Sequence, residues 1–201
     1  MTSSMKSDAL PAGTGGLQIA FLSGQSDPAR CALSPAQHAF GQALLAPGRT
    51  LHPCNFPYDA GTPPFQPAPL LSASWHNTRH YLRSRHARFA QAHRPAVEQL
   101  LHAAPHTLLL AGSCGLELLA NLALPAALAP RLSVLAYGPV ARRAPAVARL
   151  LVLVGRQDWI SRLGWHGPRT WVDSGHLHYL QRPQVLAHAN AFAAAIERTH
   201  A

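Results

Sequence analysis

Short, unbroken apolar runs spaced by helical segments constrain this chain more than any other feature. The runs are Leu17 to Leu22, Thr107 to Ala111, Leu132 to Ala136, Leu150 to Val154 and the pair Trp171-Val172. They are continuous rather than alternating, which is the pattern of strands covered on both faces. The intervening segments carry helix signals. Ser34-Pro35-Ala36-Gln37 supplies an N-cap, a proline at the first helical position and a capping-box glutamine, with Phe40 and Leu44 on one face. Residues 72–104 have helical spacing with an expected break near Pro95, Leu116 to Ala120 follows the second run as a helix, and Val185, Leu186, Ala189, Phe192, Ala193 and Ile196 share a face of a last helix. Parallel strands need crossover connections, so this alternation predicts an α/β fold with a mostly parallel sheet flanked by helices on both faces. In such sheets sites gather at the carboxyl ends of the strands. The segment from Pro53 to Pro69 holds Pro57, Pro63, Pro64 and Pro67 and is expected to be a long surface excursion.

At 201 residues the chain suits one core, and a Gly/Ser-rich start predicts a flexible segment over residues 1–16 ahead of a single domain over 17–201. A hydrophobic share of 48% against 12% charged residues fits a folded globular protein. No run is long enough to span a membrane and the N-terminal segment lacks an apolar signal core, so a cytoplasmic location is expected. Cys31, Cys54 and Cys114 are odd in number and have no CxxC spacing, which predicts reduced thiols. The formal charge of +9 invites nucleic acid. However, Lys6 is the sole lysine, the arginines are scattered from Arg30 to Arg198, and the excess partly reflects only 8 acidic residues. A small acidic partner fits this balance better than nucleic acid.

Chemistry concentrates at Ala111-Gly112-Ser113-Cys114-Gly115, between a strand and a helix. A serine hydroxyl is a weak nucleophile that needs a base, an acid orienting the base, and donors for the oxyanion. Small residues two places before and after Ser113 let a strained turn project its side chain above the sheet. A helix starting just beneath also favours developing negative charge. Centring on Cys114 instead would put Leu116 where a small residue is needed.

This arrangement resembles the nucleophile elbow of the α/β-hydrolase family, in which acid and then base follow in chain order. The resemblance runs from the strand at Leu17 to the last helix and implies a single-domain α/β-hydrolase fold. It implies that the acid follows a late strand, where Leu151-Val152-Leu153-Val154-Gly155-Arg156-Gln157-Asp158 presents Asp158. It implies that the base follows the last strand in a Gly-His context, where Gly175-His176 presents His176. Asp173 is the rival acid and His178 the rival base; the strand-Gly-x-x-Asp context favours Asp158 and the preceding glycine favours His176. Two histidines two apart also invite a metal, but no third ligand completes a set, and neither metal nor cofactor is expected. The Cys114 N–H is the first implied oxyanion donor. The second comes from the loop Ser23-Gly24-Gln25, where Gln25 N–H is the choice, although the loop lacks the family's common His-Gly. Ser23, Gly24, Trp75 and Tyr137 are candidate substrate-binding residues.

Only about a dozen residues, from Tyr137 to Arg149, separate the third and fourth runs, too few for the cap domain that many family members insert there. The pocket is therefore expected to be open, or covered by the Pro-rich segment. The expected activity is hydrolysis of an ester or thioester through an acyl-enzyme, with a substrate that an acidic acyl carrier protein or coenzyme A could present. Arg79, Arg83, Arg85 and Arg88 could dock such a carrier, or simply form a solvated helix face. A non-catalytic protein of the same fold binding such a partner, and an acyltransferase using the same residues, are the alternatives.

Overall fold

The computed structural model describes residues 16–200 apart from 26, 28, 60–62 and 68; the expected flexible start falls, but for residue 16, outside them. Six strands form one sheet: β1 (Leu17–Leu22), β2 (Arg49–Asn55), β3 (His106–Gly112), β4 (Leu132–Tyr137), β5 (Arg149–Gly155) and β6 (Thr170–Val172). All neighbours are parallel, in the order β2-β1-β3-β4-β5-β6. The helices are α1 (Pro35–Ala43), α2 (Leu70–Arg83), α3 (Ala87–His102), α4 (Gly115–Leu122), α5 (Trp159–Gly164) and α6 (Pro183–His200).

The continuous apolar runs divide by strand alternation into two cores. Ala20, Leu22, Leu109, Ala111, Val134 and Ala136 pack on the α3 and α4 side with Phe89, Val97 and Leu116. Ile19, Phe21, Leu108, Leu110 and Leu135 face the other way, onto Phe40 of α1 and Val185, Ala189 and Ile196 of α6. Helices thus cover both faces, as the sequence predicts. Residues 138–148, between β4 and β5, form no helix or strand, so no cap domain sits there.

Two sequence expectations are corrected. The Pro-rich excursion begins later than Pro53, because β2 runs through that residue to Asn55. β2 is the edge strand of the sheet beside β1, and their register slips between Ile19 and Phe21, so a missing N–H is tolerated there. The helical stretch breaks at residues 84–86 rather than at Pro95, which lies inside α3. The lost backbone bond at Pro95 is outweighed by burial of Phe89, Ala90, Val97, Leu100 and Leu101 along that helix. At the real break, Ser84 is buried, donates Oγ–H to the Tyr81 carbonyl at 2.7 Å and accepts from Asn121 of α4 at 2.9 Å.

Candidate active site

β3 ends at Gly112 and α4 begins at Gly115, so Ser113 occupies the turn between them. Its φ is +51°, a left-handed conformation that costs a residue with a side chain about 1 kcal/mol or more. The neighbours explain why the turn tolerates nothing larger. A Cβ on Gly115 would lie 2.0 Å from the Leu22 carbonyl oxygen, and one on Gly112 would lie 2.6 Å from the Tyr137 hydroxyl. The Ser113 backbone is pinned at both ends, its N–H donating to the Tyr137 carbonyl at 3.2 Å and its carbonyl accepting from Val140 at 2.9 Å. Nothing in this clamp holds the side chain down.

Ser113 Oγ lies 3.2 Å from His176 Nε2, and the other imidazole nitrogen, Nδ1, lies 2.9 Å from Asp158 Oδ2. Asp158 follows β5 and caps α5, accepting the Ser161 N–H on Oδ1 at 3.1 Å. Burial raises the pKa of this carboxyl, but hydrogen bonds from His176, the Ser161 amide and Tyr179 outweigh it and hold Asp158 well below the usual carboxylate range. The rivals lie elsewhere. Asp173 is exposed and pairs with Arg156 at 3.4 Å, and His178 is exposed. The structure therefore brings together Ser113, His176 and Asp158, each at the carboxyl end of a strand.

Tyr179 joins this chain without any forewarning in the sequence. Its hydroxyl donates to Asp158 Oδ2 at 2.7 Å and accepts the Gly155 N–H at 2.6 Å. A tyrosine three residues past the histidine has no motif of its own, and only the short 3-10 turn over Tyr179–Gln181 aims it back at the acid.

Of the two expected oxyanion residues, Cys114 lies in the turn itself and Gln25 in the loop after β1. Cys114 is the residue immediately before α4; its thiol is buried and pushed up to about 12 by that burial, only partly offset by backbone hydrogen bonds at Cys114 and Gly24. A thiol so poised remains protonated at neutral pH. The loop after β1 passes beside it, since a Cβ on Gly24 would sit 2.8 Å from Cys114 Sγ. Asn55 fixes the start of that loop, accepting the Ser23 N–H at 3.0 Å and donating to Ser23 Oγ at 2.9 Å. The Gln25 N–H donates to His80 Nδ1 of α2 at 3.3 Å. Burial, together with the nearby His93 and Arg83, lowers the His80 pKa to about 4, so the ring stays neutral and able to accept.

A cavity of about 410 Å³ opens beside His176. Ser23, Gly24, Gln25 and Tyr137 line it, as does Tyr179. Phe65, Gln66 and Pro67 line it too, so the Pro-rich segment forms part of its wall. Trp75, by contrast, is exposed on α2 and is not among the lining residues. Arg85 of the arginine run turns onto the protein, stacking over Tyr81 with its Nε 3.8 Å from the buried Glu117, while Arg79, Arg83 and Arg88 remain exposed. Among the described residues no group of three His, Cys, Asp or Glu side chains forms a metal site, and no helix is long and apolar enough to cross a membrane.

No family model matches the chain, and no curated protein matches it in sequence. Among solved structures, that of esterase PE8 matches with a TM-score of 0.53 at 18% identity, over 90% of this chain and 93% of that one. The protein Atu2452 of unknown function from Agrobacterium tumefaciens gives 0.48 at 19% identity, over 92% and 94% of the two chains. XC6422 from Xanthomonas campestris, described as an α/β serine hydrolase without lid, gives 0.41 at 18%, over 90% and 81%. At 18% identity the likeness to esterase PE8 speaks to the fold alone.

Proposed function

We propose that this chain, which has the α/β-hydrolase fold, is a serine esterase or thioesterase with Ser113 as nucleophile, His176 as general base and Asp158 as the acid that orients the base. The observation that supports this reading best is the unbroken hydrogen-bonded chain from Ser113 through His176 to Asp158, beside a cavity of about 410 Å³.

In this mechanism His176 Nε2 takes the proton from Ser113 Oγ as the oxygen attacks the acyl carbonyl. Asp158, held ionised by its donors, fixes the tautomer that leaves Nε2 free and stabilises the imidazolium that forms. The Cys114 N–H, at the start of α4, receives the developing oxyanion together with an amide of the loop 23–25, and Gln25 serves by exchanging His80 Nδ1 for the substrate oxygen. His176 then protonates the leaving alcohol or thiol, and a water activated by the same imidazole releases the acyl group. Ser23, Gly24 and Tyr137 contact substrate from the cavity wall. The exposed Arg79, Arg83 and Arg88 supply a basic surface that suits an acidic carrier or the phosphates of coenzyme A.

Turnover of short p-nitrophenyl esters and acyl thioesters by wild type and Ser113→Ala tests the reading. A loss of at least about a thousandfold in kcat with folding retained is expected. A fully active variant would sink it. The ratio of ester to thioester turnover then assigns the leaving group.

A further inference from the structure

Cys31 and Cys54 are distant in sequence and adjacent in the fold. Ala32 forms an isolated antiparallel bridge with Cys54, and the Asn55 N–H donates to the Cys31 carbonyl at 2.6 Å, so the short loop after β1 lies alongside the end of β2. Neither cysteine is in a disulfide, and both are buried. Their thiols converge on one acceptor, the Asp59 carbonyl, which lies 2.7 Å from Cys31 Sγ and 3.9 Å from Cys54 Sγ. Cys31 also lines the 410 Å³ cavity, which gives a small reagent a route to it from solvent.

We propose that Cys31 and Cys54 are a redox modification site that closes to a disulfide when the protein meets a small disulfide oxidant of the glutathione class. The Cys31 thiolate attacks one sulfur of the oxidant, forming a mixed disulfide and expelling one thiolate, which takes up the proton that Cys31 lost. The Cys54 thiolate then attacks the Cys31 sulfur, expelling the second thiolate, which takes the proton from Cys54. Two protein thiols give up two electrons and two protons, and the oxidant becomes two thiols. The second step is slow at neutral pH and quickens as pH rises, because burial and the neighbouring Cys31 push the Cys54 thiol up to about 11. Cross-linking replaces the Cys31 S–H donated to the Asp59 carbonyl and ties the cavity wall at residues 30–32 to β2. Its kinetic consequence, a change in KM rather than in Ser113 reactivity, rests on the proposed acyl-transfer reading; the thiol chemistry does not.

The test is to incubate the full chain, native and reduced, with oxidised glutathione between pH 7 and 9, quench with acid, and count thiols and map peptides by mass. The expected result is loss of two thiols per chain, a linked pair of peptides carrying Cys31 and Cys54, and Cys114 still free. Cys54→Ser is expected to hold one glutathione on Cys31. A wild-type chain that keeps all three thiols, that stops at a mixed disulfide on Cys31, or that links either cysteine to Cys114 would overturn the proposal. These outcomes are read without any substrate, so they stand apart from whether Ser113 turns over an ester.

Discussion

The Tyr179 hydroxyl and the His176 imidazole share one acceptor, Asp158 Oδ2, at 2.7 and 2.9 Å. The acid is therefore held by two donors on one oxygen and by the Ser161 amide on the other. Tyr179 acts through Asp158 rather than on a substrate. Tyr179→Phe removes that donor and leaves the buried Gly155 N–H without its acceptor, at a cost of about 1–3 kcal/mol in stability. Urea unfolding measures that loss. The catalytic consequence is a lower kcat with little change in KM, and a shift in the pH at which activity appears, which a purely structural role would not produce.

Backbone strain at Ser113 predicts an inversion of the usual glycine penalty. With φ at +51°, Ser113→Gly is expected to be more stable than Ser113→Ala by about 1 kcal/mol, both variants lacking the hydroxyl. Thermal or urea unfolding of the pair decides it, and equal stabilities would argue against a strained turn. Conversely, Gly115→Ala drives a Cβ against the Leu22 carbonyl and is expected to destabilise by about 1–3 kcal/mol.

Acid should weaken the fold in two stages. His80 is depressed to about 4, and burial lowers His52 and His93 as well. The unfolded chain therefore binds protons at these rings first, below about pH 6.5, and stability falls as pH drops from there toward 4. Asp158 has the opposite chemistry and the same sign. Its carboxylate is favoured in the folded state, so its contribution is complete above about pH 4 and is lost below it. Melting temperature against pH should show both limbs. His80→Asn, which keeps an acceptor for Gln25, should flatten the first, and Asp158→Asn the second.

Glu117 carries an electrostatic role within the fold. Its carboxylate is fully buried on α4 and accepts from the Arg142 backbone and side chain, each at 2.9 Å, and from Asn121 at 3.2 Å. Glu117→Ala strips these donors of their partner and releases the loop after β4 that also holds the Ser113 carbonyl through Val140. The expected cost is about 1–3 kcal/mol, read by denaturant unfolding, with a loss of kcat beyond what stability explains.

The parallel sheet was legible because its central strands are apolar on both faces, and the placing of Ser113 and Asp158 because each follows such a strand; His176 follows the short edge strand β6 and was read from its Gly-His context. β2 was not, since Arg49-Thr50-Leu51-His52-Pro53 holds no apolar run and is a strand through pairing with β1 at an edge. The break between α2 and α3 was hidden for a related reason: besides its local bond to the Tyr81 carbonyl, Ser84 is held by Asn121, a contact that exists only after α4 has packed. The bond of Tyr179 to Asp158 and that of His80 to Gln25 were not legible because neither belongs to a local pattern. Each joins residues more than a helical turn apart, and sequence spacing carries no trace of such pairings.

The central claim is that Ser113 is a nucleophile activated by His176, and covalent labelling tests it most directly. A fluorophosphonate probe incubated with the native chain, followed by peptide mapping, is expected to place a single adduct on Ser113, with labelling slowed at least about a hundredfold in His176→Ala. A folded chain that leaves Ser113 unmodified, or that labels equally fast without His176, would contradict the account.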